Sequence, residues 1–202
     1  MLKLTERRSI RQYDPNVKIS REEMLKILNG TMRAPSSKNM QPSRFVVVES
    51  FEAKEKLRPL LFGNQIQLET SAAMIIIFTD LHKYDNAEKI FNRAYDLNII
   101  PADVRDRQIE SVVEIRKTLV VDNLEKPGLI DGGLIAMQLM HVARAYGYDT
   151  CPIGGFRHGS IAEAFDLDPK RYKPVLIVSI GKSAEEGYKS YRLDASEVTY
   201  FK

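Results

Sequence analysis

The sequence predicts a chain of mixed α and β structure, and three observations carry that reading. The runs RFVVVES (44–50), MIIIFTD (74–80) and VLIVSIG (175–181) are short, β-branched and bounded by polar residues, as buried strands are. Helical stretches separate these runs along the chain. The composition is that of a globular protein, with 44% hydrophobic and 28% charged residues in 202, a length at which one domain, or two small ones, buries a substantial core.

Each element has its own signal. Ser20, Arg21, Glu22 and Glu23 form a capping-box pattern, in which a serine oxygen and a glutamate carboxylate satisfy the free donors of a helix start. Met24, Ile27, Leu28 and Met32 then recur at helical spacing. A loop rich in Pro, Ser and Asn leads to the first strand. Beyond the second strand, residues 81–103 are polar and contain Pro101, which suggests an insertion or a mobile excursion. Residues 103–120 place Ile109, Val112, Val113, Arg116 and Val120 at helical intervals among many charges, the pattern of an amphipathic, partly solvated helix. The segment GLIDGGLIAMQLMHVARAYG (128–147) is apolar on nearly every face and ends in glycine. A helix of that kind needs cover on all sides, and a subunit interface is a natural cover. A second capping-box pattern, Ser160 to Glu163, is expected to open a short helix before the third strand.

Composition also excludes. Lys+Arg 30 against Asp+Glu 27 leaves a net charge of +3, enough to hold a phosphate but far from the clustered basic character of a nucleic-acid binder. The longest apolar stretch, residues 72–78, falls well short of the roughly 17 to 25 residues of a spanning helix. The N-terminal MLKLTERRSIRQYD carries charges where a signal peptide has its apolar centre. A single cysteine, Cys151, forms no internal disulfide, and the reducing cytoplasm is the expected setting.

Three motifs are candidates for chemistry. Arg7, Arg8, Ser9 and Arg11 offer forked, charge-assisted donors and a hydroxyl suited to a phosphomonoester, although the same run also suits a solvated face. Residues 34–45, APSSKNMQPSRF, supply serine, asparagine and glutamine groups able to read a planar polar ring between two stiffening prolines; a turn-rich connector is the plainer alternative. Pro152, Ile153, Gly154 and Gly155 follow the apolar helix, and adjacent glycines let a flat ligand approach the backbone or simply form a turn. No HExxH, CxxC, GxSxG or P-loop string is present. His82, His141 and His158 lack metal-ligand spacing, His141 is expected to be a core histidine bonded to backbone, and Cys151 a small buried hydrophobe.

Taken in order, ERRSIRQYD, APSSKNMQPSRF, PIGGF, and KSYR with the terminal EVTYF resemble the flavin-dependent nitroreductase family over essentially the whole chain. The resemblance implies one domain spanning residues 1–202, of α+β class, with a central mixed β-sheet surrounded by helices and an intertwined homodimer with FMN at its interface. It also implies hydride transfer from NADH or NADPH through the flavin to nitroaromatics, quinones or other small-molecule acceptors. Carried over by position, Arg7 and Ser9, with Arg8 between them, look like FMN phosphate and ribityl ligands, joined by Lys189 and Arg192. Arg11 looks like the cation near flavin N1 and O2, where it would stabilise an anionic reduced form. Pro35, Ser36, Ser37, Asn39 and Gln41 resemble the segment contributed by the partner subunit. Asn64 and Gln67 resemble contacts to the pyrimidine end, and Pro152, Ile153, Gly154 and Gly155 the wall facing N5. Ser43 stands where many relatives have Trp, and Gln67 where some have Lys. A flavin-binding sensor without turnover, a relative running dehalogenation or dehydrogenation, and a nucleic-acid module are the alternatives.

Overall fold

The computed structural model describes residues 4–202; residues 1–3 of the charged N-terminal segment lie outside them. Four strands form one sheet in the order β1-β2-β4-β3, with β1 at Ser43–Val48, β2 at Ala73–Asp80, β3 at Asp149–Ile153 and β4 at Tyr172–Gly181. All three strand pairings are antiparallel. The sheet was expected to be mixed. Its parallel component is the isolated bridge Ser9–Thr150, where the N-terminal arm runs along the edge strand β3.

Side chains of a strand alternate between faces, and β2, buried throughout, divides its residues accordingly. Ile75 and Ile77 join the cluster formed with α1 (Arg21–Thr31) and, further along the chain, the helix at Glu125–Ala145. Met74, Ile76 and Phe78 face the opposite cluster. That cluster is closed by α2 (Phe51–Leu57), α3 (Gln65–Thr70) and the helix at His158–Ala164. A β2 covered on both faces explains its unbroken apolar run.

The stretch 81–103 is no loose excursion. It folds as a 3₁₀ turn, Lys83–Asn86, followed by α4 at Ala87–Asp96, which packs on α5 at Ala102–Thr118. Phe91, Val112, Leu81 and Met40 unite there in a third apolar cluster, so the segment has a core of its own despite its polar composition.

The apolar helix is α6, Glu125–Ala145. Gly132 has no Cβ because one would clash with Val175 at 2.6 Å, and the glycine lets α6 lie close on β4. One face of α6, from Gly128 through Ala143, is buried against the sheet. On the other face Ile130 (68% exposed), Leu134 and Met137 remain uncovered by the chain itself.

Three local expectations are corrected. Ser20 caps α1 by accepting the Glu23 N–H at 3.1 Å, but the Glu23 carboxylate accepts the Tyr148 hydroxyl at 2.9 Å. Ser160 lies inside α7 (His158–Ala164) and does not open it; the N-cap position is Arg157, which makes no side-chain cap bond. His141 is only half-buried on α6.

Candidate cofactor site

The N-terminal arm is held by main-chain bonds on both sides. Ile10 N–H donates to Thr150 O at 3.1 Å, Asp14 N–H to Lys182 O at 2.8 Å, and the buried Tyr13 hydroxyl bonds Ser179 Oγ at 2.8 Å. Burial pushes the Tyr13 phenol up, so at ordinary pH it is a neutral anchor. This brings Arg7, Ser9 and Arg11 to the edge of β3, around the Cys151 thiol, with Gln67 arriving from α3. Burial raises the Cys151 pKa, and the Arg11 charge, hydrogen bonds to Gln67 and Ser9 and the Arg7 charge oppose that rise without overcoming it.

Arg7 carries an unmet demand, as Arg144 does at its own Nη1. The Arg7 Nη1 is buried and has no hydrogen-bond partner among the described residues, and a buried cationic donor without an acceptor is costly. An anion with several oxygens is its natural complement. Arg8 behaves differently: its Nη1 donates to Glu186 O at 3.3 Å and Gly187 O at 3.2 Å, tying the root of the C-terminal tail to the arm. Nearby, Gln67 Nε2 donates to Asn64 Oδ1 at 3.0 Å, and Asn64 itself sits in the left-handed region at φ 59° as α3 begins.

At the end of β3 the chain turns through Gly154 and Gly155. Gly154 O accepts Phe156 N–H at 3.2 Å and lies 3.2 Å from His158 Nε2, while Gly155 O accepts Phe62 N–H at 2.9 Å. Ile153 is buried and Gly154 exposed, so the segment forms a rigid wall with one open backbone step.

The loop 35–41 is conformationally special. Lys38, Asn39 and Gln41 all have positive φ, at 52°, 57° and 48°, a region that non-glycine residues occupy only when surroundings enforce it. Ser36 Oγ accepts Gln41 N–H at 3.0 Å, and Asn39 Oδ1 accepts from Gln41 Nε2 at 3.4 Å. Asp131 of α6 accepts Ser37 N–H at 2.9 Å and is paired with buried Lys83. Neither Asp131 nor Lys83 stood out in the sequence; the one signal was a lone acid in an apolar helix.

The chain keeps this loop away from the arm. The loop is bonded to α6 at Asp131, whereas the arm reaches α6 at Arg144, whose Nη2 lies 4.0 Å from Glu6 Oε2. From position 131 to 144 the helix advances roughly 20 Å at about 1.5 Å per residue. Lys189 and Arg192 lie on an exposed tail, and among the described residues Arg192 Nη1 bonds only the neighbouring Tyr191 O, at 2.9 Å. The tail also exposes Tyr188, Tyr191, Leu193, Tyr200 and Phe201, the last at 94%.

A helix-covered α+β sheet with a cationic arm at one edge and a strained polar loop at the far end of α6 defines a composite binding scaffold. The chain belongs to the nitroreductase family: the family's sequence profile matches residues 4–182. It is 51% identical over 97% of its length to a Bacillus subtilis protein, YdgI, covering 94% of that protein, whose name assigns it provisionally to the NAD(P)H nitroreductases. It is 35% identical over 96% of its length, and 90% of the relative's, to the CLA biosynthesis enone reductase of Lactiplantibacillus plantarum. Among solved structures, a provisionally named nitroreductase of Exiguobacterium sibiricum in complex with FMN superposes with a TM-score of 0.95 at 48% identity, covering 98% of this chain and 95% of that one.

Proposed function

We propose that the chain is an FMN-dependent NAD(P)H oxidoreductase of nitroreductase type that works by ping-pong hydride transfer as a homodimer. The observation that carries this reading is the buried Arg7 Nη1, without a hydrogen-bond partner among the described residues, on the arm that also brings Ser9 and Arg11 to the Cys151 thiol, where Gln67 arrives from α3, a donor set of the chemistry that a phosphorylated flavin requires. When bound, FMN would take a hydride from NAD(P)H and deliver two electrons to a nitroaromatic, quinone or related acceptor. The chain's own contribution is placement and charge. Arg7 and Ser9 hold the phosphate and ribityl end, Arg11 sets positive charge near the pyrimidine, Gln67 and Asn64 offer amide groups to the ring, and residues 152–155 wall one edge.

The dimer reading rests on separation within one chain. Loop 35–41 and the arm lie at opposite ends of α6, so a site needing both takes each from a different copy. The uncovered Ile130, Leu134 and Met137 and the apolar exposed tail supply surface for that association. Among the described residues no helix is long and apolar enough to cross a membrane, and the single cysteine supports a cytoplasmic setting.

An enone acceptor is a second reading, favoured by the 35% identity to the enone reductase. The test is a spectrum of purified protein before and after anaerobic NAD(P)H, followed by the acceptor. Noncovalent FMN that loses its oxidised absorbance and regains it on adding a quinone, nitroaromatic or enone is the expected result. FAD, riboflavin, no flavin, or FMN inert to both dinucleotides would contradict the proposal.

A further inference from the structure

A cleft of about 940 Å³ opens between the end of α1, loop 35–41 and α4. Its lining contains four cations, Arg33, Arg44, Lys89 and Arg93, and no acid. Arg44 is committed to the buried Asp80 at 3.0 Å. Arg33, Lys89 and Arg93 have no hydrogen-bond or ion-pair partner among the described residues. Lys89 and Arg93 are four residues apart on α4 and therefore share a face. Two like charges at that spacing repel, and an anion placed between them and Arg33 would relieve the repulsion. Beside this basic row, Ile90, Ala94, Leu97 and Ile99 give the cleft an apolar side.

We propose that this cleft holds the adenosine end of the reducing dinucleotide and that Arg33, Lys89 and Arg93 recognise the 2′-phosphate of NADPH, making the enzyme prefer NADPH to NADH. Resting on the function proposed above, the assignment follows from position, charge and shape. Asn39 and Gln41 line the cleft and belong to the loop that, on the proposed function, meets the partner subunit's flavin, so a dinucleotide with its nicotinamide there runs outward toward α4. Three uncommitted cations match a phosphate dianion better than a single carboxylate. The apolar row of α4 suits a planar base, and a cleft of this volume exceeds what a small acceptor fills.

Two readouts test the assignment. In the first, calorimetry measures binding of adenosine 2′,5′-bisphosphate and of 5′-AMP to the FMN-loaded protein. The bisphosphate should bind about tenfold or more tightly, and Lys89→Ala with Arg93→Ala should remove the difference, since charge-assisted phosphate contacts are worth at least that factor. In the second, anaerobic stopped-flow compares flavin reduction by NADPH and NADH, and the NADPH/NADH ratio of kcat/KM should fall by about tenfold in the same double variant and in Arg33→Ala. These side chains are uncommitted, and the variants should fold with an unchanged circular dichroism spectrum. Equal binding of the two nucleotides, a ratio near unity in the wild type, or a ratio untouched by the substitutions would overturn the proposal. So would decanoate displacing the bisphosphate at lower concentration, which would make the cleft a carboxylate-acceptor subsite. If the protein holds no flavin, the functional reading fails, and the calorimetric comparison on the flavin-free protein still judges the cleft.

Discussion

Lys83 Nζ lies 3.2 Å from Asp131 Oδ2 with the two side chains only 2% and 6% exposed, and the other carboxylate oxygen of Asp131 accepts the Ser37 N–H at 2.9 Å. One buried carboxylate thus joins α6, the 3₁₀ turn after β2 and the left-handed loop expected to meet the partner's flavin. Taking two charges out of water is costly, and the pair is tolerable because each charge answers the other and the second carboxylate oxygen accepts the Ser37 N–H.

Removing one member leaves the other buried and uncompensated. Asp131→Ala should lower unfolding free energy by about 3 to 5 kcal/mol, read from urea midpoints, and should weaken FMN retention by freeing Ser37. The double change Lys83→Met with Asp131→Leu should cost less than the single one, because no orphan charge remains. A single variant as stable as the wild type would show that the pair contributes nothing.

Acid sensitivity should reflect Asp80. Burial alone would raise its pKa, but the Arg171 hydrogen bond, the His82 N–H and the charges of Arg44 and Arg171 hold it below its ordinary 3.8. A carboxylate with a depressed folded pKa stabilises fully above its unfolded value and loses that contribution as pH falls through the folded one. The stability gap between wild type and Asp80→Asn should therefore be constant near neutrality and close progressively below about pH 4. A gap that widens on acidification would reverse the assigned sign.

Arg192→Ala should weaken FMN binding by about 10- to 100-fold, the equivalent of roughly 1.5 to 3 kcal/mol for a charge-assisted phosphate contact. Its side chain is exposed and bonds only Tyr191 O among the described residues, so circular dichroism and thermal midpoint of the flavin-free protein should stay unchanged. Wild-type flavin affinity in the variant would remove Arg192 from the phosphate site.

Much of this architecture was legible because the residues that decide it are local. The β-branched runs became β1, β2 and β4, and the apolar helix became α6. Strand β3 escaped notice because Asp149 opens it and Pro152 stands inside it, a residue a central strand excludes. It is tolerated because β3 is the outer strand in the order β1-β2-β4-β3. The polar run 81–103 hid α4, whose packing on α5 is tertiary. At the candidate site, the arm's arginines and the strained loop were visible as residue types. That Arg7 buries a nitrogen, that Ser37 leans on Asp131, and that Arg33 shares a cleft with Lys89 and Arg93 depend on contacts between distant segments. No periodicity reports such contacts.

Each flavin site is proposed to be built from two copies, the arm of one and loop 35–41 of the other. The most direct test of that arrangement mixes two inactive variants, one carrying Ser37→Ala and Asn39→Ala, the other Arg7→Ala and Ser9→Ala. In a mixed dimer all the damage falls in one site and the other is intact, so equal co-refolding should restore FMN binding and NAD(P)H oxidation to about a quarter of the wild-type level, half the dimers carrying one good site. No recovery, with mixed dimers demonstrated by native mass spectrometry, would mean that each chain builds its site alone.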